Sequence, residues 1–189
     1  MKRLRLALML TGCALVLPAF GLEPVNVLPA AGTIEYAFTP GDDAAGLIVR
    51  TIDSAKAQVL MQAFSFTHRD IADALIRAYR RGIDVQIMVD REQFDSMESS
   101  AMRSLIDVGL PIFMDAQHSA AHNKVVIIDG NARDPKLVTG SFNFTFAAQY
   151  RNAENVLVFR GNQELVRVFF ANWQQHRAHA TAMPTTQSR

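Results

Sequence analysis

Hydrophobic positions along this chain alternate between two periods. Residues 33–38, 57–64 and 83–89 are short, mainly apolar runs of strand length. Between them, residues 42–54 place Ala45, Ile48, Val49 and Ile52 at helical spacing, and Ile71, Ala74, Leu75, Ala78 and Tyr79 form a second such stripe. Thr67 and Asp70 stand at the spacing of a capping box, and Gly82 ends the stripe. A polar loop is expected at residues 91–96, then a helix to about residue 108, stopped by Gly109, and a short strand over 110–114. Strands dominate afterwards, at 124–128, 137–139 and 153–159. A last helix from 162 to about 176 is expected to bury Leu165, Val166, Phe169, Phe170 and Trp173. Such alternation predicts an α/β fold, one mixed β-sheet sandwiched between α-helices. The pattern contains no internal repeat.

The ends change this picture. Lys2, Arg3 and Arg5 precede an uncharged run over residues 6–20, the basic and apolar regions of an export signal. Cleavage after Gly21 is expected, leaving a single domain over residues 22–177 and a disordered tail over 178–189. The competing route is lipidation at Cys13, within Leu10-Thr11-Gly12-Cys13; a retained anchor is a third, although the run is short for a bilayer crossing. A secreted or periplasmic protein follows. With Cys13 removed, the mature chain has neither disulfide nor thiol nucleophile.

Of the 189 residues, 49% are hydrophobic, enough for a real core and incompatible with a disordered chain. The formal charge of +1 becomes −2 once Lys2, Arg3 and Arg5 are lost with no acid. This excludes a polybasic coat for nucleic acid. Positive charge for a polyanion would have to be local, the candidates being Arg77, Arg80 and Arg81 near one helix end and Arg133 and Lys136 in a loop, each also readable as solvated surface charge.

The candidate chemistry lies in AHNKVVIIDG, residues 121–130. Strand alternation puts His122 and Lys124 on one face with Val126 and Ile128 behind them, and Val125, Ile127 and Asp129 on the other. Downstream, GSFNFT places Ser141, Asn143 and Thr145 in one register and three phenylalanines in the other, if extended. A phosphodiester can use such a set. Neutral imidazole is a nucleophile that a phosphate anion does not repel, while Lys124, Asn143 and Ser141 can donate to nonbridging oxygens. A separate acid must protonate the leaving alkoxide. Asp129, in an Asp-Gly pair and facing away, reads as a structural turn residue.

His122-Asn123-Lys124, with Asp129 after four further residues, and then Gly140-Ser141-Phe142-Asn143, resemble the HxKxxxxD…GSxN signature of the phospholipase D superfamily. The resemblance is closest to its small, secreted, single-motif bacterial endonucleases and extends over residues 33–177. It implies the phospholipase D-like fold and a phosphohistidine mechanism that needs two motif copies around one phosphate. This chain has one copy, so a homodimer with a shared active site is expected, each subunit supplying His122, Lys124 and Asn143. Glu154 matches the family's acidic position that orients a catalytic histidine. Gly140 and Asp129 are expected to be structural within the motif. Ten residues separate Asp129 from Gly140, more than the family's usual spacing, so residues 130–136 should form an enlarged loop.

No cofactor or metal is implied by this chemistry. His68 is expected at the surface of a helix start and His118 at the site entrance, while His176 and His179 lack the acidic neighbours a metal site needs. Phe64, Phe66, Phe142 and Phe144 are expected in the core. The expected function is a metal-independent phosphodiesterase, a nonspecific endonuclease on DNA or RNA. Alternatives are a phospholipase D cleaving phospholipid headgroups and a non-catalytic polyanion-binding envelope module.

Overall fold

A computed structural model describes residues 25–96 and 99–183 of the chain. The expected export signal, Cys13 and residues 184–189 lie outside the described residues. One eight-stranded mixed sheet is flanked by helices on both faces, as expected. Its elements in chain order are β1 (Thr33–Thr39), α1 (Ala44–Asp53), β2 (Gln58–Ala63), α2 (Arg69–Arg80), β3 (Asp84–Asp90), α3 (Arg91–Ser96) and α4 (Ser100–Asp107). There follow β4 (Ile112–Asp115), β5 (Lys124–Ile128), β6 (Lys136–Gly140), α5 (Phe146–Tyr150), β7 (Glu154–Arg160), α6 (Gln163–His179) and β8 (Thr181–Ala182). The strand order is β1-β7-β6-β5-β2-β3-β4-β8. Strands β2, β3 and β4 are parallel and joined by helical crossovers, whereas every other pairing is antiparallel.

Side-chain alternation divides the core in two. Val59, Met61, Val85, Ile87, Val126 and Ile128 pack with α1, α2 and α4 on one face. Leu60, Met88, Phe113, Val125, Ile127 and Leu137 pack with Val166 and Trp173 of α6 on the other. Leu165, Phe169 and Phe170 are only partly buried there, because a 17-residue surface helix presents one stripe to the sheet. Side-chain caps at Asp43, Ser99, Thr145 and Asn162 start α1, α4, α5 and α6.

Several local expectations are corrected. Residues 91–96 form α3 rather than a loop, started by the Asp90 carboxylate, which accepts from the Gln93 N–H at 2.8 Å. The capping box at Thr67 does not form: His68 is the cap residue of α2 and makes no side-chain cap bond. The Thr67 and His68 N–H groups instead donate to the Phe144 carbonyl at 2.9 and 3.0 Å. His68 is buried rather than exposed, and burial lowers its pKa against the opposing charges of Asp70 and Asp43. Finally, α6 continues to His179 and the chain returns as β8 on the edge of β4, so residues 178–183 are ordered by sheet pairing.

Asp129 is structural in a way that alternation alone did not specify. Its backbone is left-handed, with φ of 53°, a conformation that Asp adopts more readily than most residues. The carboxylate accepts from the N–H groups of Lys56, Ala57 and Gln58 at 3.0, 2.7 and 2.9 Å, binding the start of β2 to the end of β5. Asp129→Ala should therefore lower stability by about 1.5–3 kcal/mol, since three part-buried N–H groups lose a charged acceptor. Asp129→Asn, which keeps one acceptor oxygen, should cost less. Urea unfolding measures both, and a loss below about 1 kcal/mol for the alanine variant would contradict this role.

Candidate active site

His122 stands two residues before Lys124, the first residue of β5, on the loop over residues 116–123, and its position is set from both sides. Upstream, the second oxygen of the buried Asp90 carboxylate accepts from the Ala121 N–H at 2.8 Å. Downstream, the Phe64 N–H donates to the Asn123 carbonyl at 3.1 Å, continuing the pairing of Ala63 with Lys124. The imidazole itself is exposed and rests against Phe64, the ring centroids 4.3 Å apart. Phe64 is thus a half-buried wall of the site rather than core, while Phe66, Phe142 and Phe144 are buried as expected.

Lys124 is 7% exposed, and its ammonium lies 4.9 Å from the Phe64 ring centroid. It donates to the His122 carbonyl at 2.8 Å and lies 2.9 Å from His122 Nδ1. Burial pulls its pKa down to about 8, against the opposing negative charge of Glu154. An ammonium has donors only, so Nδ1 accepts and a neutral His122 carries its proton on Nε2. In this state the imidazole presents an N–H at Nε2 rather than a lone pair.

Ser141 and Glu154 meet across β6 and β7. The Ser141 hydroxyl donates to Glu154 Oε2 at 2.6 Å and accepts from the Asn155 N–H at 3.1 Å. Gly140 permits this approach: with φ of 148°, a Cβ there would lie 2.3 Å from the Asn155 carbonyl oxygen. Glu154 does not hydrogen-bond His122. Its other oxygen accepts from Asn152 Nδ2 at 3.0 Å, and His122 Nδ1 is engaged by Lys124. Through space its charge does reach Lys124.

The segment after Gly140 keeps its alternation only to Thr145, where the Thr145 hydroxyl caps α5 and leaves Phe146 exposed. Asn143 Oδ1 is buried without a hydrogen-bond partner among the described residues. A half-turn of that carboxamide would present Nδ2, a donor suited to a phosphate oxygen.

Other expected residues are placed elsewhere. Arg77 and Arg81 pair with Asp53. Lys136 is buried in β6 beside Asp134 rather than exposed in the loop. His118 joins His176 and His179 around the fully buried Asp115, so these histidines do have an acidic partner. Burial opposes ionisation of Asp115, but hydrogen bonds from His176, His179, the Gln117 N–H and His118 hold its carboxyl well below the usual range. Asp90 and Asp115 were not singled out from sequence. Each ends a parallel strand, a position whose importance appears only once the strands are aligned.

Comparison with known proteins agrees with the geometry. The family model described as cardiolipin synthase, PLD-like domain, matches residues 48–176. A phospholipase D of Rickettsia conorii is 35% identical over 166 residues, 87% of this chain and 80% of that one. The mitochondrial cardiolipin hydrolase of Danio rerio is 30% identical over 61% of this chain and 49% of its own length. The crystal structure of Nuc from Salmonella typhimurium, a phospholipase D family member, superposes with a TM-score of 0.73 at 32% identity, covering 80% of this chain and 97% of that one. The chain belongs to the phospholipase D superfamily, in the single-motif subgroup that includes Nuc. It is a hydrolase of phosphodiester bonds.

Lys124 can serve a phosphate anion only while protonated. Its charge is complete well below pH 8 and is lost as pH rises through about 8. The kcat/KM on a phosphodiester should accordingly fall with a single ionisation near pH 8, and Lys124→Arg, weaker overall, should lack this alkaline limb. A flat wild-type profile between about pH 7 and 10 would remove Lys124 charge from the reaction.

Proposed function

We propose that the protein is a metal-independent endonuclease acting on DNA or RNA through a phosphohistidine intermediate, as an exported homodimer with its active site shared across the two-fold axis. The observation that carries the chemistry is the exposed His122 imidazole bonded to the buried Lys124 ammonium. An incoming phosphate that attracts the ammonium to a nonbridging oxygen frees Nδ1, and the proton can then reside there. Nε2 of the neutral His122 attacks phosphorus, the bond from phosphorus to the leaving oxygen breaks, and His122 of the partner subunit, as the imidazolium, protonates that oxygen and becomes neutral. In the second step the partner's imidazole takes a proton from water, whose oxygen attacks phosphorus and releases His122. Lys124 and Asn143 donate to the nonbridging oxygens, and Glu154, held by the Ser141 hydroxyl, helps keep Lys124 protonated.

One neutral imidazole and one imidazolium are needed at once, and each chain has one HxK sequence. That supports the dimer. The cavity beside Phe64, lined also by Phe66, Val89, Phe94 and Met102, has room for about 20 Å³, so this wall of the site offers no acyl-chain pocket, which agrees with a nucleic-acid substrate. The resemblance of the motif to the single-motif bacterial endonucleases points the same way. A phospholipase D reading draws support from the exposed Ile34, Tyr36, Phe38, Phe146 and Tyr150, which could meet a lipid surface, and from the names of the sequence relatives.

The expected result with EDTA present is nicking of plasmid DNA by wild type and a loss of at least about 10³-fold in His122→Asn. Headgroup release from phosphatidylethanolamine vesicles without nicking would replace the nuclease by the lipid reading. Absence of both would favour a non-catalytic polyanion-binding module, and divalent-ion-dependent cleavage that survives in His122→Asn would refute the histidine nucleophile. Light scattering of the active species should give twice the chain mass; an active monomer contradicts the shared site.

A further inference from the structure

A second cluster of titratable groups lies at the opposite edge of the parallel strands from the Ser141–Glu154 pair. Asp115 ends β4, His118 follows in the loop toward His122, and His176 and His179 occupy the last turn of α6. Packing brings them together: Arg177 of the same turn stacks its guanidinium 3.4 Å from the Phe113 ring centroid, and β8 then pairs Thr181 with Met114. All four side chains offer a ligand atom, and these atoms lie within 4.8 Å of one another.

Hydrogen bonding alone accounts poorly for this convergence. His176 Nδ1, His179 Nε2 and His118 Nδ1 approach the same oxygen, Asp115 Oδ2, at 2.9, 3.1 and 3.2 Å. A carboxylate oxygen has two lone pairs for three imidazoles. The other oxygen already accepts from the Gln117 N–H at 3.0 Å, with His118 Nδ1 at 3.3 Å. A cation among the four ligand atoms removes the conflict, since each imidazole then directs a lone pair inward and carries its proton outside. Tetrahedral zinc, with bonds of about 2.0–2.2 Å, sets its ligand atoms roughly 3.3–3.5 Å apart. The oxygen-to-nitrogen distances are already near that value, and small ring movements would bring the nitrogens to it.

We propose that Asp115, His118, His176 and His179 form a structural site for a divalent transition metal, with zinc the ion that three imidazoles and a carboxylate suit. Four protein ligands close the coordination sphere, so the ion serves architecture rather than hydrolysis. The His118 side chain is 43% exposed, which gives the ion a path from solvent. Once bound, it ties the end of α6 and the edge strand β8 to β4, and ties both to the loop that ends in His122. This assignment does not depend on which phosphodiester the protein cleaves.

The test uses the purified full chain, stripped with EDTA, dialysed and titrated with zinc against a chromophoric chelator at neutral pH. Expected are one zinc per chain, a raised melting temperature, and a visible cobalt(II) spectrum of tetrahedral nitrogen and oxygen ligation. His118→Ala, at an exposed position, and His176→Gln should each weaken zinc by at least about tenfold, the smallest loss typical even of groups behind a ligand. His122→Asn should bind zinc as wild type does. No stoichiometric zinc, zinc binding unchanged by both ligand substitutions, or zinc lost in His122→Asn would each overturn the site and leave a hydrogen-bonded cluster.

Discussion

The antiparallel ladder between β2 and β5 is the constraint on which the site depends. It pairs Ala63 with Lys124 at one end and Val59 with Ile128 at the other. Beyond the first end, the bond between Phe64 and Asn123 sets His122 against the Phe64 ring; beyond the second, Asp129 binds three N–H groups leading into β2. A slip of one residue would send Lys124 to the face of α6 and expose Val126 and Ile128 to the wrong layer. The core therefore enforces the register that places the chemistry.

That register also explains the division of labour between His122 and Lys124. Lys124 is inside the sheet, where desolvation weakens its hold on a proton, whereas His122 is one step outside it and meets solvent. A partly desolvated ammonium is a stronger partner for an anion than a solvated one. It also determines which imidazole nitrogen keeps the proton, so a single contact of 2.9 Å couples anion binding to the protonation state of the reacting ring.

Carboxylates at the ends of the parallel strands complete the scaffold. Asp90 and Asp115 are neighbours in the β3–β4 register and both are buried. One holds the loop before His122 through Ala121; the other gathers three histidines from that loop and from α6. Groups gather at the carboxyl ends of parallel strands because the crossover connections leave a crevice there. The same loop thus serves the reacting imidazole and the metal-ligand cluster.

Much was determined by the sequence alone. Apolar periods gave the βαβ order and strand β5 to the residue, since burial on both faces leaves a continuous hydrophobic run. Strand alternation put His122 and Lys124 on one face, a local rule that needs no partner, and the resemblance of their motif to the phospholipase D signature pointed to phosphodiester chemistry. Tertiary structure decided what local rules cannot reach. Thr67 lost its capping role to the Phe144 carbonyl, Phe64 left the core for the site, and Lys136 left the loop for β6, each through a pairing with chain far away in sequence. Glu154 found Ser141 rather than His122 for the same reason. The cluster at Asp115 joins residues 61 and 64 positions apart, and no periodicity within either segment encodes their meeting. Spacing along the chain determines which face a side chain takes; only packing of α6 on the sheet determines which side chains share a cation-sized space.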